Sequence, residues 1–132
     1  MRMNQVLMTL FASSVMLFSS CTKEEVADDT QTGNIKVSIT YSPPSSSSYV
    51  YFLSEAFTIR LKKNGSTVAT QTYSGGTHDL GEYEYGTYTV EVTGKEGRTS
   101  LTTGSTINNY DTFYSSRTVV LDAPTVTTNA SF

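Results

Sequence analysis

The sequence predicts an all-β domain, an antiparallel β-sandwich of about seven strands, preceded by an N-terminal targeting segment. Three observations carry that reading. Apolar and polar residues alternate with period two in several separate windows, as on strands with one buried face. Gly and Asn-Gly signals divide those windows at spacings that suit short antiparallel strands. Threonine is abundant, with eighteen between residues 34 and 132, and its branched Cβ favours a pleated backbone over a helical one. No window after residue 26 has a helical period.

In chain order, Asn34–Tyr41 places Ile35, Val37, Ile39 and Tyr41 on one face, with Lys36, Ser38 and Thr40 opposite. Ser42-Pro43-Pro44 followed by Ser45–Ser48 reads as a polyproline-leaning loop. Glu55–Lys63 turns Phe57, Ile59 and Leu61 inward and Thr58, Arg60 and Lys62 outward. Asn64-Gly65 then accepts the positive φ of a tight hairpin, and Thr67–Tyr73 is the return strand. Gly75-Gly76 ends it, and Gly81 and Gly86 punctuate the next stretch. Thr87–Thr93 alternates again, with Tyr88, Val90 and Val92 inward. Gly94-Lys95-Glu96-Gly97 reads as a turn into Arg98–Ile107, and Arg117–Asp122 and Thr125–Phe132 are the last extended pieces.

The N-terminus has a different character. Met1–Gln5 is polar with one positive charge, Arg2, and Val6–Phe18 is apolar before Ser19-Ser20. This is the order of a secretory signal, and the apolar run is shorter than the roughly 20 residues of a membrane-spanning helix. The 132 residues carry nine Lys and Arg against twelve Asp and Glu, a net charge of −3. With no basic run, that balance speaks against nucleic acid as a partner. One cysteine excludes an internal disulfide and a Cys-based zinc site. Val26–Gly33, with Asp28 and Asp29, reads as a flexible spacer.

Leu17-Phe18-Ser19-Ser20-Cys21 resembles a bacterial lipobox, in which small residues precede a cysteine that becomes the acylated N-terminus, although Phe18 stands where Leu, Val or Ala is usual. Cys21-Thr22-Lys23-Glu24-Glu25 is similar to the export signal of Bacteroidetes surface lipoproteins, a Lys and two acidic residues starting two positions after the cysteine. Gly86, Tyr88 and Val90 resemble the G-x-Y-x-V element of transthyretin-like, carboxypeptidase-regulatory-like and immunoglobulin-like bacterial domains. The wider run from Phe57–Leu61 through Asn64-Gly65 to that element looks like the N-terminal domain of Bacteroidetes lipoproteins of unknown function. The resemblance implies a signal peptide over 1–20, a lipidated tether over 21–33 and a sandwich over 34–132. Cys21 would be the acylated residue, and Lys23, Glu24 and Glu25 would direct the chain to the outer membrane and the cell surface of a Gram-negative bacterium. The function so implied is a non-enzymatic binding, adhesion or assembly module. The alternative is an accessory glycan-binding lipoprotein of a nutrient-uptake system.

Candidate chemistry is sparse, and no cofactor or metal is expected. His78 and Asp79 are adjacent, so on a strand they point to opposite faces and do not cooperate. Glu82 and Glu84 share a face but lack a cleft between them. Asn108, Asn109 and Asp111 lack the acidic count and glycine spacing of a calcium loop. Two aromatic clusters remain as ligand-binding candidates: Tyr49, Tyr51 and Phe52 after the Pro/Ser loop, and Tyr110, Phe113 and Tyr114 after the Asn pair. Such rings either fill the sandwich core or sit on loops and stack on a sugar or a partner protein. Tyr49 and Tyr51 share a face and Phe52 takes the other, and Tyr51 and Tyr110 are expected to be exposed, because a Tyr hydroxyl tolerates water.

Overall fold

The computed structural model describes residues 30–132, and the expected signal segment, Cys21, Lys23, Glu24 and Glu25 lie outside the described residues. Seven strands build two sheets: β1 (Thr32–Thr40), β2 (Tyr49–Lys63), β3 (Ser66–Tyr73), β4 (Gly76–Glu84), β5 (Gly86–Ser100), β6 (Thr106–Leu121) and β7 (Thr125–Ser131). One sheet has the order β4-β1-β7 and the other β3-β2-β5-β6. Every neighbouring pair is antiparallel except β1 and β7, which run parallel.

The alternation read from the sequence sets the core. Ile35, Val37 and Ile39 of β1 face Phe57, Ile59 and Leu61 of β2 and Tyr88, Val90 and Val92 of β5, all buried. Leu80, Val119, Leu121 and Ala130 complete the layer. The Asn64-Gly65 hairpin forms as expected, with φ of 52° and 78°, conformations that a β-branched residue would resist. The Tyr88 hydroxyl donates to the Glu84 carbonyl four residues upstream at 2.7 Å, bracing the corner where the chain passes from one sheet to the other.

Four expectations need correction. Gly94–Gly97 is not a turn: β5 runs through it to Ser100, and the chain reverses at Leu101–Ser105 instead. The glycines are there for their missing side chains. A Cβ on Gly94 would lie 2.5 Å from Phe57 Cε1, and one on Gly97 would lie 2.5 Å from Phe52 Cζ. The extended segment expected at Arg98–Ile107 therefore contains the hairpin turn, and the one expected at Arg117–Asp122 is the end of a much longer β6. Thr32 and Gly33, placed in the spacer by the sequence, belong to β1 and pair with Glu84 and Tyr83. A side chain at Gly33 would meet the Ala123 carbonyl oxygen at 2.3 Å.

The two sheets differ in length. β2 and β5 have fifteen residues and β6 sixteen, whereas β4 and β1 have nine and β7 seven. At about 3.3 Å per residue, the longer sheet runs past the shorter by up to about 20 Å. The overrun is at the Ser100 end. There Tyr41, just past β1, donates its hydroxyl to the buried carboxylate of Glu96 at 2.7 Å. An aromatic string of Tyr41, Phe113, Phe132 and Phe57 closes the core at this level, with successive ring centroids 5.3–5.7 Å apart.

Burial and the Glu96 carboxylate together push the Tyr41 phenol well above its ordinary value. A group whose neutral form the fold favours contributes stability below its unfolded value and loses it as the pH rises above about 10. Urea midpoints measured from pH 8 to 11 should therefore fall at the alkaline end, and the fall should be shallower for Tyr41→Phe. Identical alkaline slopes would remove Tyr41 as the cause.

Candidate functional site

Beyond Glu96 the inner face of the longer sheet continues without the shorter sheet opposite it. Leu53 packs against the core, so alternation carries Tyr51 and Tyr49 onto the same face, as it carries Arg98 onto the face of Glu96. Tyr51 pairs directly with Arg98 across β2 and β5, and Tyr49 pairs with Ser100. On the other side, β6 bulges where Glu96 pairs with Asp111 but Arg98 pairs with Ile107. The additional residues bring Tyr110 over β5. Its ring lies 5.8 Å from Tyr51, which lies 6.3 Å from Tyr49.

Arg98 is the centre of this group. Its guanidinium carbon is 4.3 Å from the Tyr49 ring centroid and 3.9 Å from that of Tyr110, so two aromatic faces hold the cation. Each such contact is worth about 0.5–2 kcal/mol, depending on how well water is excluded. Among the described residues, no carboxylate lies within ion-pair distance of it. Its Nε is shut from solvent without a hydrogen-bond partner, a deficit that ordinarily costs about 1–3 kcal/mol. Arg98 also borders a shallow depression of about 250 Å³ with Tyr49, Ser100, Thr103, Ser105 and Ile107.

The depression has an ordered rim. Ser100 donates its N–H to the Ser105 carbonyl at 2.8 Å and accepts the Gly104 N–H on its own carbonyl at 2.9 Å. Ser100 Oγ accepts the Thr103 N–H, and Thr103 Oγ1 accepts the Ser105 N–H, both at 3.3 Å. The Leu101 N–H reaches the Ser48 carbonyl at 2.9 Å, which ties this turn to the end of the Pro/Ser loop. The two segments that the sequence set far apart thus meet at one end of the sandwich. Val50, Leu101, Ile107 and Tyr110, four of the exposed large apolar side chains, are all at this end.

The six aromatic candidates divide. Tyr49, Tyr51 and Tyr110 come together, on strands and not on loops; Tyr110 is exposed and the other two are half-buried. Phe52 lies on the opposite face of β2, its ring on Gly97. Phe113 turns inward between Tyr41 and Phe132. Tyr114 faces outward and donates to Glu91 Oε1 at 3.2 Å. Lys62, 2.8 Å from that oxygen, holds the Glu91 carboxyl below its usual range, with Tyr114 adding to the effect. No family profile, no curated protein and no solved structure matches the chain. The site therefore has to be read from its own chemistry.

The other candidate groups are occupied by the fold. The His78 ring stacks on Tyr73 with centroids 3.7 Å apart and contacts the Gly75 carbonyl. Asp79 accepts the Gly81 N–H at 2.9 Å and the Asn34 amide at 2.8 Å, and these bonds lower its carboxyl from the ordinary value. A larger hollow of about 410 Å³ at the far end includes Glu82, Glu84 and Lys63. Its charges are answered locally: Thr32 donates to Glu82, and Lys63 lies 3.8 Å from Glu84. Among the described residues, no three His, Cys, Asp or Glu side chains are grouped to hold a metal, and Asp111 accepts its neighbour's Thr112 N–H. Sequence reasoning missed Arg98 because it read a turn at Gly94–Gly97. Reading β5 through those glycines would have carried Arg98 onto the inward face of the strand with Val92 and Glu96.

Proposed function

We propose that this chain is a lipid-anchored, surface-exposed lipoprotein of the Bacteroidetes type, whose sandwich is a non-enzymatic binding module. The observation that carries the binding part is the uncovered inner face at the Ser100 end, where Tyr49, Tyr51 and Tyr110 gather around Arg98. A sheet that exposes this much aromatic and apolar surface past its partner gains by being covered. The grouping of the first, fourth and seventh strands in one sheet supports the transthyretin-like form of the fold. In constant-type immunoglobulin domains the first two strands share a sheet, and here they do not. The anchoring part rests on the LFSSC and Cys21–Glu25 motifs. Multiple acyl chains, at about 0.8 kcal/mol per buried methylene, would hold the protein in a leaflet.

The glycan-binding form of this reading is favoured by Tyr rings next to a hydroxyl-lined depression. A glycan array probed with the full-length chain in detergent should give saturable binding to at least one saccharide family, and a blank array would turn the reading toward a protein partner. The anchor is tested separately. A fatty-acid probe should label the wild type and not Cys21→Ser, and label persisting on the variant would remove Cys21 as the attachment point. Replacing Lys23, Glu24 and Glu25 with Ala should protect the protein from protease added to intact cells.

A further inference from the structure

The unanswered charge of Arg98 suggests a property of the ligand, and the argument rests on the binding reading above. We propose that Arg98 recognises an anionic substituent on a saccharide, a uronic-acid carboxylate or a sulfate ester, while Tyr51 and Tyr110 carry the sugar ring.

The guanidinium lies against two rings, which restrict the side chain, so less freedom is left to lose on binding. No carboxylate of the described residues lies within ion-pair distance of it; Lys36, Arg60 and Arg117 are likewise unbridged, but among the described residues only Arg98 has an enclosed side-chain nitrogen without a hydrogen-bond partner. Its Nε is enclosed and unpaired, so hydrogen bonding to the group falls to the terminal nitrogens at the depression. Planar, charge-assisted donors of this kind suit a two-oxygen anion better than a neutral hydroxyl.

The surroundings favour a sugar over a protein surface. Ser100, Thr103 and Ser105 supply hydroxyls along the rim, and the Ser100 and Thr103 oxygens already accept backbone N–H groups, which leaves their own hydrogens to donate. The larger hollow at the opposite end has a Lys already facing a Glu, and so offers no free cation.

The test is a titration of the full-length chain in detergent with four probes: a uronic-acid trisaccharide, its methyl ester, a sulfated galactose trisaccharide and its desulfated form. At least one acidic probe should bind tenfold or more tightly than its neutral counterpart, and which one does identifies the anion. Arg98→Gln should bring each acidic and neutral pair to equal affinity, and Arg98→Lys should restore only part of the preference. Tyr51→Ala should weaken the acidic and neutral forms by the same factor. If acidic and neutral sugars bind the wild type equally, the role of Arg98 is overturned while the aromatic binding face stands. If no sugar binds and an acidic peptide, titrated as a fifth probe, does, the saccharide assignment falls. If neither binds, the binding reading fails together with it. The wild-type comparison decides the question even if Arg98→Gln does not fold.

Discussion

Gly94→Val should lower the melting temperature by at least about 12 °C, one of the largest stability effects expected from a single substitution in this domain. A Cβ at residue 94 would sit 2.5 Å from Phe57 Cε1 and 2.6 Å from Cδ1, well inside van der Waals contact. Phe57 has no exposed surface and stacks on Phe132, so its ring has nowhere to retreat. Either β2 and β5 separate locally or the ring leaves its rotamer. Overpacking of this kind costs about 1–3 kcal/mol, and a branched side chain against a fixed ring belongs at the upper end. At about 4–8 °C per kcal/mol for a domain of this size, the shift follows. Phe57→Ala alone opens a cavity and should be similarly damaging, but the double variant should be less unstable than the sum, because each change relieves the other. Gly65→Ala, which meets no atom within 4 Å, should cost only the strain of holding an alanine at φ 78°, and is the comparison without a steric clash. A Gly94→Val protein that melts with the wild type would mean that Phe57 does not lie over Gly94.

The largest functional effect should come from Tyr51→Ala combined with Tyr110→Ala. These rings lie 5.8 Å apart; Tyr110 is 45% exposed and the half-buried Tyr51 is not among the side chains packed against the core, so their removal opens no hole in it. The melting temperature should stay within about 5 °C of the wild type, the scale of about one kcal/mol. Aromatic residues at the centre of a binding surface each contribute about 2 kcal/mol or more when truncated. Losing both should weaken binding of any ligand found on the array by about a hundredfold or more. Phe113→Ala is the contrasting variant: Phe113 packs between Tyr41 and Phe132, so it should destabilise the fold with no separate effect on binding by the folded fraction. Unchanged affinity in the double tyrosine variant would move the ligand away from the overhanging face. Loss of folding would instead make both tyrosines part of the core.

Much of the fold was legible because it is written locally. Ile35, Val37 and Ile39, Phe57, Ile59 and Leu61, and Tyr88, Val90 and Val92 each follow the two-residue period of a half-buried strand, and all nine are buried. Asn64-Gly65 marked its hairpin because the turn requires positive φ within those two residues. The site was legible only in part. The aromatic clusters were visible, but Phe52, Phe113 and Tyr114 look like Tyr49, Tyr51 and Tyr110 until strand pairing assigns each to a face.

By itself the sequence determined the all-β class and the buried positions of β1, the second half of β2 and the first half of β5, since alternation follows from backbone geometry that every residue carries with it. Only the tertiary structure decided what the glycines at 33, 94 and 97 are for. A glycine in a turn and a glycine beneath a ring have the same neighbours in sequence, and the difference is Phe57, Phe52 or the Ala123 carbonyl arriving from elsewhere in the chain. It also decided which tyrosines surround Arg98. That outcome depends on the register of β2, β5 and β6, on one bulge, and on a shorter facing sheet that stops before it covers them. Each of these is a relation between distant segments, set by which surfaces remain to be buried once the strands have paired.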